Sequence, residues 1–120
     1  MLRVLEDLQA NVLGVEAVGI VTEADYERVL IPAIRAKRDA HEKLRFLYLL
    51  GEEFDGWSMG ALWEDTKLGL TSASAFEKIA VVSDNVSVHH AVKAFGWMIP
   101  GDVRVFDDDQ LDDAKDWVAS

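Results

Sequence analysis

The chain has 120 residues, half of them hydrophobic and 28% charged, with no cysteine and a formal net charge of −10 at pH 7. That length and balance fit one globular domain over residues 1–120, and the lack of cysteine excludes disulfides, thiolate metal sites and cysteine nucleophiles. The acidic total argues against nucleic acid as a partner. No apolar run reaches the ~20 residues of a membrane-spanning helix and the first residues lack a signal-peptide layout, so a cytoplasmic protein is expected.

In chain order, residues 2–8 alternate as a short strand, and "NVLGVEAVGIV" (11–21) has the composition of a longer one. Thr22 then has the character of a helix N-cap, with Glu23 and Asp25 suited to the positive end of the dipole. Tyr26, Val29, Leu30, Ala33, Ile34 and Lys37 follow helical spacing up to about His41. Pro32 interrupts this helix, removing a hydrogen bond to Arg28 and predicting a kink.

"LRFLYLLG" (44–51) is apolar on both alternations, as a central strand buried on two faces should be. "EEFD" reads as a loop and 56–70 as a second helix. Residues 77–83 give a strand, 86–95 a third helix behind the cap "SDN", 103–107 a last strand and 108–118 a last helix. The order β-β-α-β-α-β-α-β-α predicts an α/β fold: a five-stranded mixed sheet with about four helices. The first two strands are joined too tightly for a crossover and should pair antiparallel.

Catalytic and metal chemistry is tested against these elements. His89 and His90 are adjacent, so on a helix their side chains diverge by ~100° and do not grip one ion together. No metal or other cofactor is expected. "GWSMG" spaces Gly56, Ser58 and Gly60 as in a nucleophile elbow, with Asp84 and His89 or His90 as partners on paper. Yet four residues separate it from the strand before, and a hydrolase sheet is larger than this chain builds. No catalytic residue is assigned.

Apolar residues collect where polar ones are usual. The second helix carries Trp57, Met59, Leu62 and Trp63, and the connection "FGWMIPG" carries Phe95, Trp97, Met98 and Ile99. Both segments follow strands expected to be neighbours, where open α/β sheets form crevices. These eight residues are the predicted rim of an apolar ligand site. The whole set also fits a plugged core, and the sequence leaves both open.

Four stretches carry a resemblance: 4–34, "FDGWSMGALWEDTKLGL" (54–70), "FEKIAVVSDN" (76–85) and "PGDVRVFDDDQLDDAKDWV" (100–118). With them the chain resembles the SpoIIAA-like family, which has the STAS fold of anti-sigma-factor antagonists and is related in shape to CRAL-TRIO lipid-binding domains. The resemblance implies a five-stranded STAS-type domain without a catalytic signature. It places Ser58 near the phosphorylatable serine of the antagonists, although Trp57 stands where they carry an acid or a second serine. The CRAL-TRIO likeness suits the tryptophan-rich sheet end.

Two functions follow as expectations. The first is a non-catalytic binding domain for an apolar small molecule or lipid, with transient peripheral contact to a membrane helped by the basic stretch 28–45. The second is a protein-interaction module gated by phosphorylation at Ser58. Monomer and homodimer both stay open.

Overall fold

A computed structural model describes residues 1–6, 8–41, 43–60, 76–95 and 101–120. Its main sheet has five strands in the order β1 (Leu2–Val4), β2 (Val12–Ala17), β4 (Leu44–Leu49), β6 (Phe76–Val82) and β7 (Asp102–Phe106). β1 runs antiparallel to β2, and the other pairs are parallel. Leu13, Phe46, Ile79 and Val103 lie in register across it. The expected mixed sheet is therefore present.

β4 sits at its centre because its side chains are apolar in both directions. Leu44, Phe46 and Tyr48, with Leu50 just beyond the strand, join one buried cluster with Leu13, Val15, Tyr26 and Leu30. Leu47 joins the other, with Val12, Ala80, Val82, Ala114 and Val118. A strand sandwiched in this way needs a helical layer on each face.

The first layer comes from the helical run after Thr22. The Thr22 hydroxyl accepts the Asp25 N–H while the Asp25 carboxylate accepts the Thr22 N–H at 2.8 Å, a reciprocal cap. The run opens as α1 (Glu23–Asp25), widens into a π-helical turn at Tyr26–Leu30, and resumes as α2 (Ile31–Ala40). Pro32 lies in the first turn of α2. It has no N–H to return to the Arg28 carbonyl, and the expected kink takes the form of this wider turn, with the Ile31 N–H bonded to the Tyr26 carbonyl.

The second layer is α4 (Leu111–Ala119), preceded by a 3-10 turn at Asp108–Gln110; α3 (Val86–Phe95) connects β6 to β7. α4 buries Ala114 and Val118, and its carbonyl end is held by cations. Arg45 donates to the Val118 and Ser120 carbonyls at 2.9 and 2.6 Å, and Lys78 to that of Trp117 at 3.1 Å.

Before Thr22 two features depart from the sequence reading. Residues 2–8 do not form one strand: β1 stops at Val4, and Leu5 and Leu8 fold over Gly14, where a Cβ would come within 2.5 Å of Leu8 Cδ1. Residues 11–21 are not one strand either. Gly19, at φ +64°, turns the chain out of β2, and β3 (Gly19–Val21) pairs in parallel with β5 (Phe54–Trp57) as a separate two-stranded sheet.

Candidate functional site

β5 replaces the loop-to-helix boundary expected at "EEFDGW". Gly56 sits at φ +125°, which a residue with a side chain rarely adopts, and Trp57 is still on the strand. The helix expected from residue 56 begins later, with Met59 and Gly60. Two bonds lock β5 to β3: Gly19 N–H to the Glu53 carbonyl at 2.6 Å and Ser58 N–H to that of Val21 at 2.8 Å. The pairing turns Trp57 inward, its ring edge-on to Phe54 with centroids 4.7 Å apart. Its indole N–H donates to the Tyr48 hydroxyl at 3.2 Å, and that hydroxyl lies 3.2 Å from the hydroxyl of Tyr26 on the π-helical turn.

Beside Trp57 opens a cleft of about 420 Å3. Tyr48, Leu50 and Val81 line it from the ends of β4 and β6, Phe54 and Trp57 from β5, and Val88, Ala91 and Val92 from α3. This is the carboxyl end of parallel strands, where open α/β sheets bind ligands, and the volume lies within the ordinary range for small molecules. α3 is an unusual wall, because none of Val86–Ala94 is buried. Its start is fixed by Asn85, whose Oδ1 accepts the Ser87 N–H at 2.8 Å, and by the His89 Nε2–H, which donates to the Ser83 carbonyl and lies 3.4 Å from Asp107 Oδ1.

A second cleft, about 360 Å3, adjoins the first and shares Leu50, Phe54 and Asn85 with it. Its character is acidic, with Glu52, Asp84 and Asp108 in the lining. The Asp108 N–H donates to Asp84 Oδ1 at 2.8 Å, while Asp108 Oδ1 is buried with no hydrogen-bond partner among the described residues. Burial first, and then the charges of Asp84, Glu52, Asp107 and Asp109, push the Asp108 carboxyl above its usual value. Among the described residues no group of His, Asp and Glu is arranged to hold a metal ion.

Ser58 precedes the helical Met59 and Gly60, and that helix start already has an anion against it. A Cβ on Gly60 would lie 2.6 Å from Glu23 Oε2 and 3.0 Å from Glu23 Cβ. A phosphate on Ser58 would share this end with the Glu23 carboxylate, and like charges there repel.

Comparison with known proteins gives this geometry a family. A family model described as SpoIIAA-like matches residues 12–119. The chain belongs to the SpoIIAA-like family. It is similar to the crystal structure of an uncharacterized protein of the DUF3478 family with a SpoIIAA-like fold from Shewanella loihica PV-4. The TM-score is 0.82 at 26% identity, over 98% of this chain and 93% of that one. No curated protein matches the chain. In broad class, the SpoIIAA-like fold is that of a regulatory or binding domain, and STAS-type domains commonly bind protein partners.

Within this SpoIIAA-like frame the eight rim residues separate. Trp57 lines the cleft. Met59, 83% exposed, is not part of the lining. Leu62, Trp63, Trp97, Met98 and Ile99 lie outside the described residues, as does the side chain of Phe95, whose backbone closes α3. Sequence reasoning missed Tyr48, Phe54, Val81 and Val88. The first three read in sequence as core strand or loop residues, and the Val88–Val92 pair at i, i+4 is the available signal on α3. The basic stretch is partly committed elsewhere: Lys37 donates to the Ala10 carbonyl at 2.9 Å, and Arg45 pairs with Glu77 besides holding α4. No helix among the described residues is long and apolar enough to cross a membrane.

Proposed function

We propose that this SpoIIAA-like chain is a non-catalytic binding domain that takes an apolar small molecule into the cleft between β5 and α3. The observation that carries the reading is the Trp57 wall: an aromatic pair, Phe54 and Trp57, held by the Tyr48 hydroxyl beside about 420 Å3 of space. Aromatic and aliphatic walls with a few fixed polar atoms favour an apolar body of one or two rings or a short acyl chain. The exposed wall helix α3 supports entry of the ligand, because moving it uncovers no buried side chain of Val86–Ala94. The strongly exposed Met59 and the 59% exposed Ile20 offer apolar contacts for transient association with a membrane surface.

The test is equilibrium binding of a neutral naphthalene probe, 1-naphthylmethanol, to the full chain and to Trp57→Ala and Val88→Asp. Saturable binding that both substitutions weaken at least about tenfold, with circular dichroism unchanged, supports the cleft. Binding unaffected by either substitution overturns it.

A further inference from the structure

We infer that the ligand is an organic cation, an amine whose apolar body fills the aromatic cleft and whose protonated nitrogen points into the adjoining acidic cleft. The inference rests on the binding reading above and names the class of molecule that the same site prefers.

Charge complementarity carries it. The two clefts share Leu50, Phe54 and Asn85 as walls and so lie side by side. Their charged lining among the described residues has one sign: Asp55 beside the aromatic wall, then Glu52, Asp84 and Asp108. Among the described residues no lysine or arginine is in either lining, and the imidazole of His89 is turned to the Ser83 carbonyl and Asp107. Several basic side chains are used at other places, Arg45 and Lys78 at the end of α4, Arg3 on Glu16 and Lys37 on the Ala10 carbonyl. Asp108 Oδ1, enclosed and with no hydrogen-bond partner among the described residues, keeps lone pairs for a donor that reaches it. After burial, the neighbouring carboxylates raise the Asp108 carboxyl, and theirs is the repulsion an incoming cation would offset.

The aromatic cleft contributes in the same direction. The faces of Tyr48, Phe54 and Trp57 attract a cation as well as an apolar body, which an anionic ligand would not exploit. An anion such as a fatty acid carboxylate would face four like charges in place of a complementary group. A neutral apolar molecule would fill the aromatic cleft and leave the acidic one unused.

Three probes with the same naphthalene body and three charge states decide the matter: 1-naphthylmethylamine, 1-naphthylmethanol and 1-naphthylacetate, titrated into the full chain by calorimetry at low and at moderate salt. The amine is expected to bind about tenfold more tightly than the alcohol, the equivalent of one partly screened ion pair, and the acetate most weakly. In Asp108→Asn combined with Glu52→Gln the preference for the amine over the alcohol should fall to about threefold or less, and added salt should narrow it in the wild type. Equal binding of amine and alcohol, both lost in Trp57→Ala, would overturn the cation preference while leaving the apolar site standing. Failure of all three probes to bind the folded chain would overturn both.

Discussion

The indole N–H of Trp57 donates to the hydroxyl of Tyr48 at 3.2 Å, joining the two-stranded β3–β5 sheet to the central strand of the main sheet. Tyr48 passes the connection on to Tyr26, fully buried on the π-helical turn. Three elements far apart in sequence therefore meet at one polar point inside an otherwise apolar cluster, next to the cleft. Trp57→Phe keeps an aromatic wall and removes the donor, so stability to urea should fall by about 1 kcal/mol. Tyr48→Phe should cost a similar amount, and the double variant less than the sum by about 0.5 kcal/mol or more, because the two residues share the interaction. Strict additivity of the three unfolding free energies would contradict this linkage.

Gly60 and Glu23 form a second close relationship. Alanine in a helix is normally better than glycine by about 1 kcal/mol. At Gly60 the added methyl would meet both the carboxylate and the Cβ of Glu23, which does not move without the backbone of α1. Gly60→Ala is therefore expected to lower stability by about 1 kcal/mol instead of raising it. In a Glu23→Gly background the same substitution should raise it. Thermal unfolding of the four proteins checks the reversal; a gain from Gly60→Ala in the wild type would contradict the contact.

Two aspartates should respond to pH with opposite signs. Burial pushes the Asp25 carboxyl up, but the bonds from the Thr22 N–H, the Met1 ammonium and the Thr22 hydroxyl outweigh it and hold the group below its usual value. Its contribution is present above the unfolded value near ~3.9 and is lost as pH falls through the lower folded one. Asp108 is raised, so its ionised form costs stability near neutral pH, and the cost is relieved as pH falls through its folded value toward ~3.9. Asp108→Asn should accordingly stabilise at pH 7, with an advantage that shrinks between neutrality and about pH 4. Asp25→Asn should destabilise at pH 7, with a deficit that closes only below about pH 4. Urea denaturation at several pH values separates the two profiles.

The main sheet was legible because its strands announce themselves locally. β4 is apolar on both alternations, Thr22 with acids behind it marks a helix start, and 86–95 reads as a helix with the observed bounds. β5 was not legible for a physical reason. Its Asp55 and Gly56 are poor strand formers, and what makes 54–57 extended is pairing with β3 together with a positive φ at Gly56, neither of which is encoded in the neighbouring residues. Trp57 could be singled out as a rim residue from composition. Tyr48 could not, since on the strand it is indistinguishable from core until β5 brings an indole N–H to its hydroxyl. The acidic cleft assembles from the ends of β4, β6 and β7, so its carboxylates looked in sequence like loop residues and a helix first turn.

Regulation at Ser58 is open to a simple check. With Glu23 already against the same helix start, Ser58→Asp should lower stability and leave naphthylmethanol affinity within about threefold. A stabilised protein with a changed affinity would instead favour a phosphate-gated site.

The most direct measurement is a two-dimensional amide spectrum of the nitrogen-labelled chain titrated with 1-naphthylmethanol. The expected result is saturable movement of the Trp57 indole resonance together with the amides of Tyr48, Val81, Val88 and Val92, the residues around the cleft. A folded spectrum in which those resonances stay fixed at millimolar probe, or in which the shifts gather on another face of the sheet, would contradict the account.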